Sequence, residues 1–484
     1  MAKVTADTVE LDFSKLSMHD KKRDVINHGP LKEIFYLVQC PYTWPEQMSH
    51  EKLEEMTSDK CNLVVGDPKE WNQFCLHIYY AYGHAKLGNM DRAFDFSKMC
   101  EDLIRKSSED DFFKEIYKAM THCLYSLLAH MYFIKCDPEK ADQMISKVTP
   151  VQDLDPACQA ALKAIYATVS HEFGLRPKED YLKTFKEAID LDPDEKGYRR
   201  GAWYYSVGKL IGQLRRRDYR TKPPSAEELE YLTRATKINP FPVFLATLAE
   251  AKRELARYGF NTATSHTLNM EAKKLFIEAY KKDSVNASTL RRCGKGLMSL
   301  PRECQDIPLA KECLEKAIKL DPGNSPSLYS LGNLEERYNG NIKKAIEYYQ
   351  LAVENGNAVA AISEIRLRFK QNRQYYPIDY CDKLITEYPE VPSLHVAKME
   401  YYLFVKNDIL SAAKEFEKAH VLSPGSDSLK KHWKVFLPKQ AEGGKFSVDA
   451  YMVMRNAIRR AKPTLSAEDK LYLDGMVKIC ATHA

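Results

Sequence analysis

The stretch Ala310–Asn324, AKECLEKAIKLDPGN, carries the reading of this chain. Along it Ala310, Leu314, Ala317 and Pro322 follow one another as small, large, small, proline. The first three share one helix face, because steps of three and four residues return to the same side. Small side chains let a neighbouring helix come close, and the large one fills the space between them. Proline then ends the helix and turns the chain.

The same ladder recurs along the sequence. Ala412, Phe416, Ala419 and Pro424 repeat it, as do Ala272, Phe276 and Ala279, with Ser284 in place of proline. Shorter versions are Phe185, Ala188, Pro193; Leu232, Ala235, Pro240; and Ala345, Tyr349, Ala352. The partner helix is visible as Leu328, Leu331 and Gly332 after Pro322, and earlier as Ala81 with Gly88 and Ala129 with Tyr132. Helix pairs in this order form the tetratricopeptide pattern, with a period of about 34 residues and roughly eight or nine pairs here. The expected fold is therefore all-α, a tetratricopeptide-repeat (TPR) helical solenoid. Its first helices, A, line a concave face, and its second helices, B, carry the ladder.

Composition agrees with that expectation. A chain of 484 residues is too long for one core. Thr149-Pro150-Val151-Gln152-Asp153 and Leu300-Pro301-Arg302 read as joints. They give a flexible N-terminal segment (1–30), an N-terminal block (31–150), a middle block (151–300) and a C-terminal block with a helical cap (301–484). Gln440–Gly444 reads as the loop before the cap, and Leu214–Ser225 as a long inter-helix loop. No apolar run is long enough to span a membrane. The start, MAKVTAD, has no apolar signal core. The 12 cysteines are scattered without a C-x-x-C pair, which fits reduced thiols and a cytoplasmic protein.

Catalytic signatures are missing from the sequence. Cys293-Gly-Lys-Gly296 is too short for a phosphate-binding loop. His171-Glu172 lacks the second histidine of a zinc motif. The chain is therefore expected to bind rather than catalyse, with no cofactor and no metal.

Net charge is only +5, so an anion-binding surface must come from local clustering. Counting along the helix after Ser284 puts Leu290 and Cys293 in the packing set. Arg291 and Lys295 then share a face, four residues apart, toward the groove, with Arg292 more lateral. In the middle repeat Arg199 or Arg200 takes the matching place, with Lys209 further along. In the following repeat Tyr329 stands where Arg291 stood. Cations for phosphates followed by a ring for a base is the pattern of a single-strand nucleic-acid binder. Arg215-Arg216-Arg217 reads as a solvated loop instead. Arg366, Arg368, Lys370 and Arg373 are spread by helical spacing. Trp44 and Trp71 read as core or staple residues rather than as rings that stack on a ligand.

These features resemble one known family, the interferon-induced proteins with tetratricopeptide repeats. Cys40-Pro41-Tyr42-Thr43-Trp44 is similar to that family's Cys-His-Phe-Thr-Trp, with Pro41 at the histidine position. Tyr80-Ala81-Tyr82 with Gly88 and Ala93 resembles its first repeat. Thr184–Ala188 with Leu191-Asp192-Pro193 and Gly201 resembles its middle repeat. Asn239-Pro240 with Val243–Ala246, and Leu290-Arg291 with Lys295, follow in order. The resemblance spans about residues 31–435. It implies a cytosolic antiviral protein that holds the 5′ end of single-stranded RNA in a basic groove. Arg291, and after it Arg292, carry over from the family's basic cluster. RNA is the implied partner, with other TPR proteins or a second copy as further partners, and neither DNA nor a membrane. The competing expectation is a TPR scaffold that clamps peptides or acidic C-terminal tails.

Overall fold

The computed structural model describes residues 38–44, 50–57, 69–106, 111–173, 177–192, 200–217, 222–258, 262–282, 285–430, 432–433, 435–436, 447–461 and 466–483. The expected flexible segment 1–30, the Gln440–Gly444 loop, Arg199, Pro193 and Ser284 lie outside the described residues. The chain forms two compact units, Met1–Arg199 and Arg200–Ala484. The joints read near residues 150 and 300 lie inside these units.

The first unit holds α1 (His50–Thr57), α2 (Lys69–Lys86), α3 (Met90–Lys106), α4 (Asp111–Ile134), α5 (Pro138–Ile145), α6 (Pro156–Phe173) and α7 (Lys178–Leu191). They pair as α2/α3, α4/α5 and α6/α7, and α4 also packs on α6. Trp44 and Trp71 are buried. Trp44 meets Tyr166 edge-on at 5.2 Å.

The second unit runs through α8 (Gly201–Arg217), α9 (Ala226–Ile238), α10 (Pro242–Ala256), α11 (Thr262–Lys282), α12 (Ala287–Met298), α13 (Ile307–Leu320), α14 (Ser325–Leu334), α15 (Ile342–Glu354), α16 (Ala360–Gln371), α17 (Ile378–Glu387), α18 (Pro392–Tyr401), α19 (Ile409–Leu422), α20 (Asp427–Lys430), α21 (Ala450–Ala461) and α22 (Ala467–His483). A two-residue antiparallel bridge, His432–Trp433 with Ser447–Val448, precedes the last two helices. Pairs α8/α9, α10/α11, α12/α13, α14/α15 and α18/α19 repeat the A–B unit, and α8, α10, α12 and α14 touch in succession. This is an all-α TPR solenoid, as the ladder requires.

The ladder residues lie where the spacing puts them, on the B helices. Ala310, Leu314, Ala317, Ala272, Phe276, Ala279, Ala412, Phe416 and Ala419 are all fully buried. On α14, Gly332 faces Tyr349 of α15; a Cβ built there would lie 2.6 Å from the ring. Close approach of A to B is thus bought by glycine on one side and a large side chain on the other. In the second unit the B helices α13, α15 and α19 start on a side-chain cap. Asp306 accepts from Leu309 N, Asn341 from Lys344 N and Asp408 from Ser411 N. Two A helices, α14 and α18, end in a π-helical turn closed by a left-handed residue, Gly340 or Asn407. Asparagine tolerates that conformation better than most side chains.

One expectation is corrected. Leu214–Ser225 is not one long loop, because α8 continues through Arg215, Arg216 and Arg217. Arg215 is held by carboxylates on two other helices. Its Nε lies 2.9 Å from Glu228 of α9 and its terminal nitrogen 2.5 Å from Glu254 of α10. The three arginines also suit the negative end of the helix dipole.

Candidate functional site

Helices α8, α10 and α12 share one connected polar network. Arg292 of α12 reaches back to α10. Its Nε donates to Glu250 Oε1 at 3.1 Å, and its terminal nitrogen donates to Glu250 Oε2 and Thr247 Oγ1, both at 2.8 Å. Thr247 Oγ1 in turn donates to the Tyr205 hydroxyl of α8 at 3.3 Å. Burial would raise the Glu250 carboxyl, but the Arg292 guanidinium outweighs it and holds the pKa low. Burial would likewise raise the Tyr205 phenol, yet Lys209 and Arg292 pull it below its ordinary value. The Tyr205 ring stacks on Phe244 at 4.3 Å.

The carboxylates on this face are taken. Glu250 belongs to Arg292, and Glu254 to Arg215 and Arg216. Three cations remain. Among the described residues Arg253, Arg291 and Lys295 make no ion pair and no side-chain hydrogen bond. Lys295 lies in the field of the other two. The Lys295 ammonium has a lowered pKa, through burial first and then through the charges of Arg291 and Arg253. Arg291 is lowered by burial and by Arg292. Arg253 is lowered by burial and by Arg257, and its buried Nε has no partner. Lys209 contributes a fourth cation without a carboxylate; its ammonium lies 6.0 Å from the Tyr205 ring.

The other residues read from the sequence are placed as follows. Arg200 is buried at the start of α8, its guanidinium 4.8 Å from the Trp203 ring. Tyr329 is half-buried on α14, packed against the core with its ring 5.5 Å from Tyr349. Arg366 and Arg368 are paired with Glu336 and Glu364. Sequence reasoning missed Arg253 and Tyr205. A pocket of about 650 Å³ lies elsewhere in this unit, against Tyr402, His395 and α19. There Glu415 gathers His395, Lys398 and Lys418 at 2.7, 3.2 and 3.0 Å. No helix among the described residues is long and apolar enough to cross a membrane.

This arrangement defines the class of the protein: a TPR solenoid with unpaired cations on consecutive A helices. Residues 303–324 match the tetratricopeptide repeat family. No curated protein matches the chain. Among solved structures it is similar to a human IFIT1 dimer with m7Gppp-AAAA, at 16% identity and a TM-score of 0.57, over 93% of this chain and 95% of that one. It is similar to human IFIT1 with PPP-AAAA, at 16% identity and TM-score 0.55, over 94% and 97%. A monomeric IFIT1 mutant with m7Gppp-AAAA gives 15% identity and TM-score 0.58, over 94% and 98%. The likeness runs over nearly the whole chain and establishes the fold.

Proposed function

We propose that this chain binds single-stranded RNA, at or near a 5′ end, on the A-helix face of α8, α10 and α12, and serves innate antiviral defence in the cytoplasm. The observation that carries the reading is the set Arg253, Arg291 and Lys295. Burying these like charges beside Glu250, whose oxygens already accept from Arg292, is unfavourable in the free protein, and an added anion relieves it. A chain of phosphates presents several anions at the spacing of neighbouring helices. Lys209 extends the set on α8, and the Tyr205 ring lies beside it. Tyr329 extends the stripe one repeat further. Arg292 positions Arg291 and Thr247 rather than meeting the phosphate itself, because Glu250 already saturates it. The IFIT1 structures with capped and triphosphate-bearing AAAA share the fold and support this choice of ligand.

The test is fluorescence polarisation with a short single-stranded RNA, a duplex DNA of equal charge and an acidic peptide. The reading requires the RNA to bind and to be displaced by unlabelled RNA ahead of the other two. Binding of the acidic peptide alone would replace it with the scaffold reading.

A further inference from the structure

We infer that His266, Glu303 and Cys304 form a binding site for a zinc-type divalent transition-metal ion, away from the cations described above. His266 stands near the start of α11. Glu303 and Cys304 stand in the loop of residues 299–306 that joins α12 to α13. One ligand atom from each lies within 4.8 Å of the others. His266 Nδ1 and Cys304 Sγ are 3.8 Å apart. A tetrahedral zinc ion, with Zn–S of about 2.3 Å and Zn–N of about 2.0–2.1 Å, sets its sulfur and nitrogen ligands roughly 3.6 Å apart. The observed separation needs only a small adjustment.

The donor set is informative. Thiolate and imidazole favour zinc over calcium or magnesium, which prefer oxygen alone. Histidine, carboxylate and thiolate supply three ligands, and the fourth position is open to water because His266 and Glu303 are exposed. Without metal the Cys304 thiol stays protonated, pushed up by burial and by Glu303. Metal binding displaces that proton to solvent and leaves the thiolate on the ion. The support is already rigid. Cys304 N donates to Pro301 O at 2.8 Å, Gln305 Nε2 donates to Leu300 O at 2.8 Å and Met298 O at 3.0 Å, and Tyr338 donates to Met298 O at 2.8 Å. His266 and Cys304 are 38 residues apart in sequence, which hides them from any spacing motif. Bound metal ties the B helix of one repeat to the loop inside the next and so staples two repeats.

The experiment is calorimetric titration of zinc chloride into the reduced, chelator-treated full-length protein, with cobalt(II) spectra in parallel. The expected result is one equivalent bound and a thiolate-to-cobalt absorption band. His266→Ala, a change at an exposed position, weakens zinc at least about 100-fold, since even an outer partner of a metal ligand is worth about 10–100-fold. Cys304→Ser abolishes the band, and Cys136→Ser, at an exposed cysteine, leaves it intact. A parent that binds no stoichiometric zinc, a His266→Ala protein that binds like the parent, or a band lost with Cys136 would each overturn the site.

Discussion

Arg292 on α12 grips Glu250 on α10 with two hydrogen bonds, 3.1 and 2.8 Å long, while also holding Thr247 at 2.8 Å. The pair does two things. It ties consecutive A helices together, and it engages the carboxylate that would otherwise pair directly with Arg291 or Lys295. Breaking one side of such a pair leaves the other charge stranded. Arg292→Ala should therefore cost about 3 kcal/mol in urea unfolding, the low end of the range for buried pairs because Glu250 keeps some solvent contact. Arg291→Ala should cost well under about 1 kcal/mol, because it leaves no hydrogen-bonded partner stranded. Equal losses for the two would show that Arg291 has a structural partner.

The glycine opposite Tyr349 offers a sharper test of repeat packing than the ladder alone. Gly332→Ala places a methyl group where the ring lies, 2.6 Å away. Tyr349 is fully buried, and its hydroxyl donates to Glu336 at 2.9 Å, so the ring has little room to move. Destabilisation of about 1–3 kcal/mol is expected, the scale of overpacking. Ala317→Trp on α13 should cost at least as much. An unchanged melting temperature for both would mean that these helices are not packed as described.

Glu415 gives a pH signature. Burial would raise its carboxyl, but hydrogen bonds from His395 and Lys418 and the charge of Lys398 bring it from 4.5 down to about 2. A depressed carboxyl stabilises the fold fully above its unfolded pKa, and that contribution is lost as pH falls through the folded value. Stability should thus decline between about pH 4.5 and 2 through this group. Glu415→Gln should be less stable near neutrality and show a flatter slope in that acid window. Parallel pH curves for parent and variant would rule the coupling out.

Much of this was legible in the sequence, for a physical reason. The ladder Ala310, Leu314, Ala317 repeats because every repeat solves the same packing problem, so its period is written in the residues. That Arg291 and Lys295 stand close together was legible, because four residues bring both to one helix face. Arg253 was not. In sequence it stands between Glu250 and Glu254, at three residues and one, and reads as a neutralised surface arginine. Only the fold shows that both carboxylates are spent on arginines from α8 and α12. The Arg292–Glu250 contact spans 42 residues and has no local trace. Arg215–Arg217 misled in the opposite way, since a basic run before two prolines looks like a loop until Glu228 and Glu254 are placed beside it.

The most direct measurement is the salt dependence of RNA binding for the parent and for Arg253→Ala, Arg291→Ala and Lys295→Ala combined. If these three and Lys209 meet about four phosphates, as proposed, log K against log salt should fall with a slope of about −2.8 for a single strand. The triple variant should bind weakly and show a slope shallower by about 2, while remaining folded. Lys252→Ala, a cation already paired with Glu271 at 2.5 Å, should leave both affinity and slope unchanged. A triple variant that keeps the parent's affinity and slope would contradict the account, because the unpaired cations would then have no phosphate to meet.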